Sequence, residues 1–267
     1  MFEFYNIFIH QTKALGKNFI VSQLINQFKG RESFTREELF TFFRQFEPDL
    51  KETTFRWRIY DLKGKQVMRP LSSQLFTLSH KQVFIPKINP ADKAHWMKLQ
   101  TEFPNLEACI WNTQVVHELM LHIPGRSFTI LQVEKAALEP VYQFLSGNSF
   151  YSGRVFIQPN KKELARYVFE TRDAIIVEQL ISKSPLQQTG VVTTLTLEKL
   201  LVDIFSEKEV LAAYQGSEFV HIVNAAFERY SIDFTTLFHY ARRRGQFKKL
   251  KEFIEFQTDI PKFISHD

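Results

Sequence analysis

The stretch ESFTREELFTFFRQFEPDL, residues 32–50, constrains the fold more tightly than any other part of this chain. Thr35 and Glu38 stand at the spacing of a capping box, in which the hydroxyl accepts from the Glu38 amide and the carboxylate reaches back to the Thr35 amide. The helix so started carries Leu39, Phe42, Phe43 and Phe46 along one side before Pro48 stops it. A short helix with so aromatic a stripe must be covered by neighbouring elements, so a small α-helical core is expected around it.

The flanking sequence supplies candidates for that cover. From Lys13, KALGKNFIVSQLINQFK places Leu15, Phe19, Leu24 and Phe28 near helical spacing, and Gly30 ends the run. Downstream, Asp49 and Glu52 repeat the acceptor spacing of a capped start for a third helix, with Phe55, Ile59 and Leu62 as its buried seam and Gly64 as its end. At about 100° per residue, Thr53, Trp57 and Tyr60 then lie opposite the seam, with Thr54 and Arg56 on the flanks. The segment QVMRPLSSQLFTLSHKQVFIP follows, two β-type runs about Ser72-Ser73 that read as a hairpin. Three short helices and a hairpin predict a winged helix-turn-helix, in which the third helix enters the DNA major groove and the hairpin meets the backbone.

Charge points the same way. Residues 1–90 hold 14 Lys and Arg against 8 Asp and Glu, whereas residues 91–267 hold 20 against 21. A basic head on a near-neutral body suits a polyanion partner, although a solvated basic surface gives the same count. From helical angle, Thr53, Thr54, Arg56, Trp57 and Tyr60 are assigned to base edges, and Lys51, Arg58, Lys63, Lys65 and Arg69 to phosphates.

The segment KINPADKAHWMKLQTEFPN reads as a linker or peripheral helix, so the domains are drawn at 1–88 and 89–267. Beyond it, the strand-like runs ACIWN, SFTILQV, RVFIQP and AIIVEQL alternate with helical TQVVHELMLH and EKAALEPVYQFL, the pattern of an α/β domain. From Thr196 onward, TLEKLLVDIF, SEFVHIVNAAFERY, DFTTLFHYARRRG and FKKLKEFIEF read as successive helices.

Motifs of catalysis are scarce. No glycine-rich phosphate loop is present, and GNSFYSG has Tyr151 where a nucleophile elbow needs glycine. His117 and His122 are five apart, which on a helix separates them by about 140° and forbids a shared zinc. The eight Asp residues nowhere form D-x-D. No catalytic residue, metal or cofactor is therefore assigned. Asp203 reads as a helix-surface or capping carboxylate, with a functional role as the rarer alternative. Arg242, Arg243 and Arg244 with Lys248, Lys249 and Lys251 form a cationic run that either adds phosphate contacts or is a solvated helix end. One cysteine, an N-terminus without a basic leader and no apolar run near the roughly 20 residues of a membrane span predict a cytoplasmic protein without a membrane partner.

Taken in order, FTREELFTFF, TTFRWRIYDLKGKQVMRP, LFTL, VVTTLTLEKLLVDIF and LFHYARRRG resemble the AbiEi-type antitoxins of bacterial type IV toxin-antitoxin systems. The resemblance implies a winged-helix domain that binds operator DNA of its own operon and represses it. It also implies a C-terminal antitoxin domain acting against a nucleotidyltransferase-like toxin, with no stable complex between the two. By position, the recognition helix is Lys51 to Lys63 and the wing Val67 to Leu78, with Gln74-Leu75-Phe76 where the family's wings carry glycine before an aromatic. Two other readings stay open: a nucleotidyltransferase-like enzyme with scattered metal carboxylates, and a winged helix that docks protein.

Overall fold

A computed structural model describes residues 20–64, 67–78 and 82–260. These residues form a mixed α+β protein of two compact units, divided between Gln82 and Val83.

In the first unit, helix α1 occupies 20–28 and Gly30 turns away from it with φ +78°, a conformation open to glycine at little cost. The expected start of α1 at Lys13 lies outside the described residues. Strand β1 (Phe34–Thr35) leads into α2 (Arg36–Arg44), and both halves of the predicted capping box are made. Leu39, Phe42 and Phe43 are buried as expected, but Phe46, which follows the helix and meets Phe42 edge to face, is 38% exposed.

Helix α3 spans Glu52–Gly64. It starts later than a cap at Asp49 predicts: the Leu50 amide donates to Glu47 O and its side chain is buried, so the turn runs on until Lys51 O accepts from Phe55 N. Phe55 and Leu62 are buried and Ile59 packs beside them, the predicted seam. Strands β2 (Met68–Pro70) and β3 (Leu75–Leu78) form the expected hairpin, with Arg69 opposite Thr77, and β1 pairs antiparallel with β3 to give the order β1-β3-β2. The core is strongly aromatic. Phe28 stacks on Phe34 with centroids 4.1 Å apart, and Phe40 meets Phe55 at 4.8 Å.

The second unit opens with α4 (Pro90–Glu102), capped by Asn89 and started by Pro90 at its first turn. Of the two readings, linker or peripheral helix, the helix holds, and it is no peripheral one: Asp92, Trp96 and Leu99 are buried, and Thr129 donates to Asp92 Oδ1 at 2.7 Å. A four-stranded sheet follows, from β4 (Ala108–Asn112), β5 (Thr129–Val133), β6 (Val155–Ile157) and β7 (Ile175–Gln179). Its order is β4-β5-β7-β6, with β4 antiparallel to β5 and the other pairs parallel. Helix α5 (Leu138–Ser146) lies on the β5 to β6 connection, and the brief α6 (Lys161–Glu163) continues into a π-helical turn on the β6 to β7 connection. Each strand predicted here is present. TQVVHELMLH, however, forms a seven-residue 3-10 segment rather than an α-helix.

A hairpin of β8 (Leu186–Thr189) and β9 (Val192–Leu195) precedes four helices: α7 (Leu197–Ser206), α8 (Ser217–Arg229), α9 (Phe234–Arg243) and α10 (Phe247–Gln257). Thr196 and Asp233 cap α7 and α9 through their side chains. All four helices match those read from the sequence. Among the described residues no helix is long and apolar enough to cross a membrane.

Candidate nucleic-acid interface

The outer face of α3 is set by its inner one. With Phe55 and Leu62 fixed in the core, the 3.6-residue repeat turns Thr53, Trp57 and Tyr60 away from it, and all three are exposed. Trp57 is 72% and Tyr60 71% exposed, unusual for rings of that size, and they meet edge to face with centroids 5.9 Å apart. Thr54 is exposed beside them, and the Arg56 side chain is 73% exposed.

Two acids modulate the face. Glu52 accepts a hydrogen bond from Arg36 of α2 and lies 3.5 Å from Arg56 Nε, so its charge is shared between two guanidinium groups. Arg36 also lies over the Phe55 ring at 4.9 Å, which ties the start of α3 to α2. Asp61 is the second acid, exposed one residue beyond Tyr60.

The predicted phosphate contacts divide into two groups. Lys51 and Lys63 are exposed, with the Lys63 ammonium 5.8 Å from the Phe76 ring. Arg58 points the other way: it pairs with Glu47 and lies 5.1 Å over the Phe43 ring, so it braces α3 against the end of α2. Arg69 is half-buried, donates to Gln82 O at 3.3 Å, and burial lowers its pKa from the ordinary value. Lys65 lies outside the described residues. An apolar groove of about 410 Å³ runs beside Trp57, between α1 and α3, lined by Ile20, Val21, Phe43, Thr54 and Leu62.

In the second unit the cationic run of α9 is dispersed rather than gathered into a patch. Arg242 lies over the Phe247 ring at 4.0 Å, Arg243 donates to Ser182, and Arg244 turns inward to pair with Glu207. Arg244 joins a buried ionic cluster that the sequence reading missed. Asp203 is no surface carboxylate; it is 1% exposed, and fully buried Lys199 donates to its Oδ2 at 2.5 Å. Tyr240 donates to Asp203 Oδ1 at 2.8 Å, Lys199 Nζ also reaches Tyr240 OH at 3.1 Å, and Arg244 Nε stands 3.7 Å from Asp203 Oδ1.

Burial alone would strip the Lys199 proton, but the Asp203 carboxylate outweighs it and holds the ammonium above its ordinary range. Burial, reinforced by Asp203, pushes Tyr240 up to about 12. Glu178 at the end of β7 is pushed up to about 7 by burial and by the negative charges of Glu207 and Asp203. One signal was available: the Lys199 and Asp203 spacing of four residues inside an otherwise apolar helix puts both on one face.

His117 and His122 do not face one another across a helix: His117 lies in the 3-10 segment and His122 beyond it, where Nδ1 is 3.0 Å from Glu218 Oε2. Among the described residues no group of three His, Cys, Asp or Glu could hold a metal ion.

A comparison with curated proteins finds no match for this chain. A family model does match, over residues 54–260, from within α3 through α10. With most of its length covered, the chain belongs to DUF6577, a family of unknown function.

Proposed function

We propose that the chain is a sequence-specific duplex-DNA-binding regulator whose first unit is a winged helix-turn-helix with α3 as its recognition helix. The observation that carries this reading is the exposed, ring-bearing face of α3, with Arg56 extended beside Trp57 and Tyr60. Such a face supplies what a major groove reads: a guanidinium for guanine O6 and N7, hydroxyls for either base, and apolar surface for the thymine methyl. The element order and the β1-β3-β2 sheet support the winged form, with the Ser72 to Gln74 turn as the wing tip. The excess of cations in residues 1–90 supports a polyanion partner. The further role of antitoxin and autorepressor, opposing a nucleotidyltransferase-like toxin, rests on the AbiEi resemblance alone; a place in the cytoplasm is supported by the single cysteine.

An electrophoretic mobility shift with the DNA upstream of the protein's own reading frame tests the regulator role. A discrete shifted band that resists excess unrelated duplex supports it; binding indifferent to sequence contradicts it. The groove beside Trp57 favours a second reading, a protein-docking winged helix. In that case association with DNA stays weak and insensitive to salt, because few phosphates are neutralised.

A further inference from the structure

The second unit carries a cavity of about 410 Å³ that the DNA-binding reading does not use. Three segments build it. Residues 124–128 run into β5, residues 168–171 leave the π-helical turn on the β6 to β7 connection, and residues 210–214 lie between α7 and α8. Phe128, Val168, Phe169, Val210 and Tyr214 give it an apolar wall, in which the Phe128 and Phe169 rings stand 6.2 Å apart and tilted by 44°. Small-molecule sites have this size and this kind of lining, with a few polar groups that fix orientation.

The polar groups of the lining are few. Arg126 is the one charged residue among those described there, and it is already engaged: its guanidinium donates to Phe169 O at 3.0 Å and lies 3.7 Å from Glu170 Oε2. Its charge is thus countered, and an ion brought into apolar surroundings would lose its hydration without a partner to replace it. Tyr214 is the opposite case. It is 1% exposed, and its hydroxyl is buried with no hydrogen-bond partner. Thr113 offsets part of the rise in pKa that burial imposes on Tyr214, yet the Thr113 oxygen accepts from Phe128 N at 3.1 Å and no hydrogen bond joins the two hydroxyls. A buried O–H left unbonded is costly, and native folds keep few of them.

We propose that this cavity binds a small uncharged aromatic molecule bearing a carbonyl oxygen, its ring against Phe128 and Phe169 and its carbonyl accepting from the Tyr214 hydroxyl. Each part of that class follows from the lining. Apolar walls with two rings select an aromatic body, the countered charge selects against an ion, and the unbonded O–H selects an acceptor. The assignment is independent of the role of α3, since every residue in it belongs to the second unit.

1-Indanone and indane, which share a ring system and differ by the carbonyl, test the proposal in isothermal titration of the full chain and of its Tyr214→Phe variant. Saturable binding of 1-indanone is expected in wild type, tighter than that of indane by about three- to tenfold. In Tyr214→Phe that preference is expected to vanish while indane binds as it does to wild type. The ligand-free melting temperature of the variant is expected to hold or rise, because only an unbonded hydroxyl is lost. Absence of saturable 1-indanone binding at millimolar concentration overturns the proposal, as does a carbonyl preference that survives in Tyr214→Phe. A lower melting temperature in that variant also overturns it, since the hydroxyl would then be bonded within the fold.

Discussion

Arg56 and Arg58 are two positions apart on one helix, and their surroundings assign them opposite work. Arg56 extends into solvent at the edge of the aromatic face, while Arg58 is held between Glu47 and the Phe43 ring. Arg56→Ala is expected to weaken duplex binding by about 1–3 kcal/mol, measured by fluorescence anisotropy, with little change in stability. Arg58→Ala is expected to act on the fold instead, lowering stability by roughly 1 kcal/mol in urea denaturation through its lost ring contact. Lys199 is a sharper case. Lys199→Met leaves the Asp203 carboxylate buried beside Tyr240 without its ammonium, and a loss of about 3–5 kcal/mol is expected by the same method. Glu178 gives the pH dependence its sign. Its pKa rises on folding from the ordinary 4.5 to about 7, so the folded chain holds a proton that the unfolded chain has lost. Stability is expected to fall as pH rises across that window, and Glu178→Gln is expected to flatten the decline in a melting series.

At the scale of elements, most helices with a one-sided apolar stripe were legible, the exceptions being the start of α3 and the 3-10 segment of TQVVHELMLH. Thr35 with Glu38 starts a helix where their spacing says, because a cap is a local interaction that needs no knowledge of the rest of the fold; Thr196 and Asp233 cap α7 and α9 in the same way, though those helices were read from their apolar stripes alone. Thr35→Ala is accordingly expected to cost about 1 kcal/mol and to lower the melting temperature. Phe42→Ala, by contrast, opens the shared aromatic core and is expected to cost about 3–5 kcal/mol. Readings failed where tertiary contacts decide. α4 could be read as either a linker or a peripheral helix because its apolar positions are few, yet Trp96, Leu99 and a hydrogen-bonded Asp92 are enough to seat it as a buried helix. The ionic cluster was illegible for a related reason: Asp203, Tyr240 and Glu207 come together only once α7 and α9 pack, and charge counted along the chain reports nothing of that. The β8 and β9 hairpin was also missed, since Gln187, Gln188, Thr193 and Thr194 offer a weak apolar alternation.

For the molecule as a whole, the two units carry different chemistry. The first exposes rings and cations on a helix whose opposite side is a phenylalanine core; the second buries its charges around Asp203. The family match runs across both, from α3 to α10, so family membership rests on parts of each unit. A duplex ligand for the first unit implies a steep salt dependence. The logarithm of affinity is expected to fall linearly with the logarithm of salt concentration, and Lys51→Ala or Lys63→Ala to reduce that slope by about one each.

The most direct test of α3 as the proposed recognition helix is the combined variant Arg56→Ala, Trp57→Ala and Tyr60→Ala, measured against wild type on a duplex selected by the wild-type protein from a random pool. These side chains project from the core, so the account predicts an unchanged melting temperature and a loss of binding to the level of unrelated DNA. Binding of the selected duplex by the triple variant at wild-type affinity would contradict it.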